Sequence, residues 1–203
     1  MKIAITGGIA CGKSLLARHL NELGVETIDA DDVVHELIPD AAERRRIAAE
    51  VFADPAKRKE LEARIHPLVK ARIEEFLAGC SGGSGKSGNS GNPGDSGNSG
   101  GSRGAGGFKL RLAIIPLLFE VQWEKNFDII CCVASERETQ ISRMLATRGY
   151  TREETEARLA AQMPVEEKAA KSHYVIENNG TAEELRGKAE RLVEWLRGRS
   201  LGV

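Results

Sequence analysis

The chain has 203 residues, 29 Lys+Arg against 30 Asp+Glu for a net charge of −1, 22 Gly and 4 Cys. That length suits one large or two small domains with a real core, and so balanced a charge gives no field for a polyanion, which argues against nucleic acid or an anionic membrane as a partner. No stretch approaches the ~18 apolar residues of a membrane span, no leader pattern follows Met1-Lys2, and Cys11, Cys80, Cys131 and Cys132 lack metal-site or disulfide spacing, so a cytoplasmic protein without membrane attachment is expected.

Lys2 to Thr6 is a short apolar run ending at Gly7-Gly8 and reads as a buried strand. Ser14 to Leu23 carries Leu15, Leu16, Leu20 and Leu23 at helical spacing and stops at Gly24. Val25 to Ile28 is a second strand, delivering Asp29-Ala30-Asp31 at its carboxyl end. From Val33 to Leu77 the pattern is helical and highly charged, with a helix start at Asp54-Pro55 and a kink or break at His66-Pro67. Residues 79–107 then hold 13 of the 22 glycines and 7 serines. Such a stretch has nothing to bury and reads as a flexible coil inserted into a single domain.

Leu110 to Ile115 is a third strand, running into Pro116, and Asp128 to Ala134 a fourth. Glu136 to Arg148 is helical, with Ile141, Met144 and Leu145 on its apolar side. Thr151 with Glu154, and Thr181 with Glu184, are capping-box signatures for two more helices. Tyr174 to Ile176 is a fifth strand, ended by Asn178-Asn179-Gly180. Apolar strands alternating with helices imply an α/β fold whose parallel sheet is covered on both faces.

Gly7-Gly8-Ile9-Ala10-Cys11-Gly12-Lys13-Ser14 satisfies G-x-x-x-x-G-K-[ST], preceded by a strand and followed by a helix. Glycines let successive backbone N–H groups converge on a phosphate, and the helix adds its positive end. This makes Gly8 to Leu15 an ATP-binding loop, with Lys13 on the β/γ-phosphates and the Ser14 hydroxyl on Mg²⁺. Gly85-Lys86-Ser87 repeats only the last three letters, inside the coil. The chain has no N-K-x-D guanine reader, and its third strand ends in Pro116 rather than the Asp of motor-type ATPases. What remains is a small kinase, which must aim an acceptor hydroxyl at the γ-phosphate under an arginine-bearing lid.

Asp29 and Asp31 suit the acceptor side, because parallel-sheet ligands lie at the carboxyl ends of strands. Two residues apart on a strand, they face the same way, one to take the hydroxyl proton and the other to assist Mg²⁺ through water. The competing reading makes either of them a cap for the next helix. Arg143, Arg148, Arg152 and Arg158 crowd the helices around Gly149-Tyr150; Arg148, beside the loop, is the candidate for phosphate contact.

Several motifs in order resemble the dephospho-CoA kinase family: T-G-G-I-x-x-G-K-S at Thr6 to Ser14, I-D-A-D at Ile28 to Asp31, V-F-x-x-P at Val51 to Pro55, I-H-P-L at Ile65 to Leu68 and P-L-L-F-E at Pro116 to Glu120. Q-x-x-R at Gln140 to Arg143, R-x-x-x-Q at Arg158 to Gln162 and V-I-x-N-x-G at Val175 to Gly180 complete the resemblance. It implies a P-loop fold with a five-stranded parallel core (1–31, 110–135, 174–203), an acceptor-binding helical lobe (32–78) and lid helices (136–172). It also implies ATP-dependent phosphorylation of the ribose 3′-hydroxyl of dephospho-CoA with Mg²⁺, by a protein expected to be a monomer. Asp31 is then the general base beside Lys13 and Arg148, and His66, Glu120 and Gln162 belong to the acceptor site. A nucleotide or shikimate-type kinase, or a non-catalytic ATP-binding relative, is the alternative. The sequence departs from the family pattern in a short lobe between Asp31 and Val51, in Ser172-His173 where the pattern has A-D, and in the Gly/Ser insertion.

Overall fold

The computed structural model describes residues 1–40, 42–44, 46, 47, 50, 54–79 and 109–200. Most of the V-F-x-x-P motif, Cys80 and nearly all of the Gly/Ser segment lie outside them. Strands β1 (Ile3–Gly7), β2 (Glu26–Asp29), β3 (Arg111–Ile114), β4 (Ile129–Ala134) and β5 (Tyr174–Glu177) form one sheet in the order β2-β3-β1-β4-β5. Every pairing is parallel, as the apolar strands and intervening helices predict.

The central strand β1 is buried along its whole length. Alternation along the strands splits the core in two. Ile3, Ile5, Leu112 and Ile114 pack with Leu16 and Leu20 of α1 (Lys13–Glu22) and with Leu185, Leu192 and Leu196 of α7 (Ala182–Ser200). Ala4, Ala113 and Ile130 face the other way, onto Val33 of α2 (Ala30–Leu37) and Val69 and Ile73 of α3 (Pro55–Ala78). A helical hairpin of α4 (Arg137–Arg148) and α5 (Arg152–Ala160), and the short α6 (Val165–Ala170), complete the chain. Gly149, at φ +64, ends α4, and the Thr151–Glu154 capping box opens α5. Among the described residues no helix is long and apolar enough to cross a membrane.

Three local expectations need correction. Of the kink or break expected at His66-Pro67, the break does not occur: α3 starts at the Asp54 cap, whose carboxylate accepts from Ala56 and Lys57 N–H, and runs through to Ala78 with Pro67 inside it. Burial of Val69 and Ile73 just beyond the proline outweighs the lost backbone donor. Leu145 is exposed, although Ile141 and Met144 on the same helix are buried. Asp31 is not on a strand, because α2 begins directly at Ala30.

Parallel pairing brings the carboxyl ends of all five strands to one edge, where ligands of such sheets bind. The chain leaves the opposite edge at Gly79 and returns to it at Lys109 and Leu110. There Arg111 Nη1 donates to Phe76 O at 3.3 Å, holding the end of α3 to the start of β3.

Candidate active site

β1 exits into a loop that demands glycine at two points. Gly7 has φ +148 and any Cβ would strike the Val133 carbonyl of β4; Gly12 has φ +92 and a Cβ would strike the Asn178 side chain. Between them the backbone curls so tightly that Ala10 takes φ 57. Lys13 folds back over the loop, donating from Nζ to Gly7 O at 3.1 Å and Gly8 O at 2.8 Å. Burial lowers its pKa, while the nearby Asp31 and Asp29 carboxyls pull in the opposite direction.

The loop is braced from the strands behind it. Asn178 Nδ2 donates to Cys11 O at 2.8 Å, and Asn178 is itself fixed by its N–H to Ala134 O at 2.7 Å and by Ser135 Oγ donating to its carbonyl at 2.6 Å. Arg143 of α4 donates to Ala10 O, Ser135 Oγ and Gly180 O at 3.2–3.3 Å, tying the helical hairpin to the loop.

A cavity of about 630 Å³ opens at this edge, well within the size range of small-molecule sites. Ile9, Ala10, Gly12, Lys13 and Ser14 form its floor. Asp29, Asp31 and Pro116 stand on the sheet side, with Arg143, Met144, Thr147, Arg158 and Gln162 on the hairpin side. Gly8 lines a neighbouring recess with Gln140 and Gln162, and Leu15 another with Asn178, Gly180 and Thr181. Cys11 contributes only backbone: its thiol is buried, which pushes its pKa up.

Asp29 and Asp31 thus reach one cavity, though by a route other than strand alternation. Asp29 ends β2 and is the N-cap of α2, its Oδ1 accepting from Asp31 N–H at 2.9 Å; Asp31 is the second residue of that helix, exposed toward the cavity. The capping reading therefore holds for Asp29 without removing it from the site. Burial pushes the Asp29 carboxyl up to about 6, against the hydrogen bond from Asp31 N–H and with help from the Asp31 and Asp32 charges.

A pH-dependent stability follows. An acid whose pKa is raised on folding binds more protons folded than unfolded, so Asp29 destabilises the fold as pH rises from about 4 to about 6. Asn caps a helix as well as Asp does. Asp29→Asn is expected to gain thermal stability over wild type as pH climbs through that window and to hold the gain above it. A wild-type-to-variant difference in Tm that does not change between pH 4 and 7 excludes this coupling.

The remaining expected site residues divide. Gln162 lines the cavity. Arg148 closes α4 beside the loop, but its side chain lies outside what the structure describes. His66 is not among the cavity's lining residues; its ring sits edge-on to Trp123, with centroids 5.7 Å apart. Glu120 also stands back, with Oε1 2.7 Å from Lys168 Nζ and accepting from Met163 N–H at 3.0 Å. Of the arginine cluster, Arg143 and Arg158 enter the cavity, Arg158 lying over the Tyr150 ring at 4.3 Å, whereas Arg152 pairs with Glu138 and Glu156 at the surface.

A family model described as dephospho-CoA kinase matches residues 1–45 and 107–184. The chain is 35% identical over 97% of its length to a dephospho-CoA kinase of Anaeromyxobacter dehalogenans, covering 92% of that protein. It is 36% identical over 94% to one of Geobacter sulfurreducens, covering 95%. The chain belongs to the dephospho-CoA kinase family. The internal stretch between the two matched segments, 46–106, contains nearly all of the Gly/Ser insertion and also the I-H-P-L motif with His66. A crystal structure of TT1252 from Thermus thermophilus superposes with a TM-score of 0.69 at 32% identity, covering 96% of this chain and 97% of that one. A shikimate kinase from Bacteroides thetaiotaomicron shares the fold alone, at TM-score 0.57 and 13% identity over 97% of this chain and 98% of its own.

Set within this family, the site contains residues whose roles sequence reasoning left open or missed. Arg143 and Arg158 carry the Q-x-x-R and R-x-x-x-Q letters respectively, yet nothing in their spacing says which arginines turn inward. Asn178 belongs to V-I-x-N-x-G, and its bond to the loop was invisible until the strands were in place. Lys168, buried behind the site, gave no sequence signal at all.

Proposed function

We propose that this chain transfers the γ-phosphoryl group of ATP to the ribose 3′-hydroxyl of dephospho-CoA, giving CoA and ADP, the last step of coenzyme A biosynthesis. The supporting observation is a single cavity that gathers Lys13 and Ser14 of the phosphate loop, the carboxylates Asp29 and Asp31, and Arg143, Arg158 and Gln162 of the helical hairpin. Phosphoryl transfer asks a protein mainly for positioning and for compensation of charge, and these are the groups it needs.

In this reading the loop N–H groups and Lys13 hold the β/γ-phosphates. The recess between Arg143 and Thr181 takes the nucleoside end of ATP. Asp31 accepts the proton of the 3′-hydroxyl, and the α4–α5 hairpin is the lid, with Arg143 and Arg158 facing the transferring group and Arg148 as a further catalytic arginine. Gln162, His66 and Glu120 serve the acceptor, with α2 and α3 as its lobe.

Ser14 and Asp29 are hard oxygen donors at the phosphate end of the cavity. Both suit Mg²⁺, Asp29 through water, since Mg²⁺ keeps much of its hydration and takes its other oxygens from phosphates. Bound there, the ion supplies charge neutralisation at the transferring phosphoryl group. The setting proposed is a monomer in the cytoplasm.

Purified protein supplied with Mg-ATP is expected to release ADP with dephospho-CoA, and not above background with AMP, adenosine or shikimate. Release with shikimate or a nucleotide keeps the kinase and discards the acceptor. Binding of ATP with no release in any well points to a non-catalytic relative.

A further inference from the structure

Lys168 has no solvent exposure, and an ammonium so buried is costly unless it is paired and hydrogen-bonded. It is both. Nζ lies 2.7 Å from Glu120 Oε1 and donates to Pro116 O at 2.8 Å. Each acceptor has a second donor: Met163 N–H reaches Glu120 Oε1 at 3.0 Å, and Thr6 Oγ1 reaches Pro116 O at 3.2 Å. Through these shared acceptors the ammonium of α6 and the turn after β3 are linked to the end of β1 and to the segment that follows α5.

Those elements matter because of what they carry. Pro116 and Gln162 line the phosphate cavity, and Met163 follows Gln162 directly. The turn's Leu118 and Phe119 pack against Val33 of α2 and Val69 of α3, the helices of the proposed acceptor lobe. Trp123, at the end of the same turn, holds His66. An apolar side chain could fill this space without the cost of desolvating two charges, so packing alone does not account for an ion pair here. What the pair adds is direction, since hydrogen bonds fix the Pro116 carbonyl and the Glu120 carboxylate where dispersion contacts would let them slide.

We infer that Lys168 is a positioning residue for the acceptor, holding the Pro116–Glu120 turn in register with the phosphate loop. The inference rests on the proposed reaction for its kinetic consequence, though not for its structural one. The turn meets the acceptor side while ATP is held by the loop and α1, so the defect on removing the ammonium falls on one substrate.

The test compares full-length wild type, Lys168→Met, Lys168→Gln and Glu120→Gln by steady-state kinetics with each substrate varied, and by amide hydrogen exchange without substrates. Lys168→Met is expected to lower kcat/KM for dephospho-CoA by about a hundredfold, since misplacement by about 1 Å costs that much, while KM for ATP stays within about threefold. Lys168→Gln, which keeps a donor, is expected to recover part of the loss. Exchange is expected to quicken across 117–123 in both Lys168→Met and Glu120→Gln, with β1 still protected. A folded Lys168→Met with near wild-type acceptor kinetics, or with both substrates affected equally, overturns the inference. So does unchanged exchange at the turn in Glu120→Gln, which also serves if Lys168→Met does not fold. A wild type inert toward dephospho-CoA refutes the proposed reaction instead, and the exchange comparison still decides whether Lys168 holds the turn.

Discussion

Replacing Lys13 by Ala is expected to lower kcat by about a thousandfold or more, the scale seen when one preorganised charge or donor is removed from a transferring group. The ammonium is held over the loop by the carbonyls of Gly7 and Gly8, so its position is set before a phosphate arrives. It is also partly buried there, which lowers its pKa, and a charge in a low-dielectric site acts strongly on a developing anion. Removal leaves the extra charge of the transition state to the backbone N–H groups and the hairpin arginines Arg143 and Arg158. The fold has little reason to suffer. Lys13 opens α1 and belongs to neither core cluster, and Ala is a strong helix former. The measurement is ADP release against dephospho-CoA beside a thermal melt. Turnover within tenfold of wild type in a variant with an unchanged melt removes Lys13 from the phosphate site.

The parts of this molecule that could be read from the chain are those set by local chemistry. A phosphate loop requires glycines at fixed places because the backbone itself is the ligand, and here Gly7 and Gly12 sit at positive φ against β4 and Asn178. The strands were legible because β1 and β4 are apolar at nearly every position, which a helix with one solvated face does not permit. Pro67 misled for the opposite reason: its local penalty was real, but α3 gains its stability from Val69 and Ile73 against the sheet, which no local pattern prices. Among the arginines, the chain said that a cluster existed, while tertiary packing chose Arg143 and Arg158 for the cavity and left Arg152 to surface ion pairs. Lys168 shows the limit most sharply. Within V-E-E-K-A-A it looks like one more charge on a solvated helix, and only tertiary packing buries it and brings Pro116 and Glu120 to its ammonium.

Asp31→Asn is expected to reduce kcat by about 10²- to 10⁴-fold, the usual contribution of general base catalysis, while ATP affinity stays near wild type. The substitution keeps shape and polarity at the second position of α2, and the backbone bond that places the residue, Asp31 N–H to Asp29 Oδ1, does not involve the side chain that changes. What is lost is the ability to accept the proton of the attacking hydroxyl. Asp29 does not replace it easily, because it ends β2 as the cap of α2 and its Oδ1 is already committed to the Asp31 N–H. The two carboxylates are therefore separable by experiment. Losing the Asp31 charge strikes the chemical step at every pH, whereas Asp29 imposes its own dependence on the acid side of neutrality. An Asp31→Asn enzyme with wild-type kcat takes the proton-accepting role away from Asp31. In that case activity should fall on the acid side as Asp29, its pKa still raised by burial though no longer by the Asp31 charge, takes up a proton and the remaining carboxylate lining this side of the cavity can no longer accept.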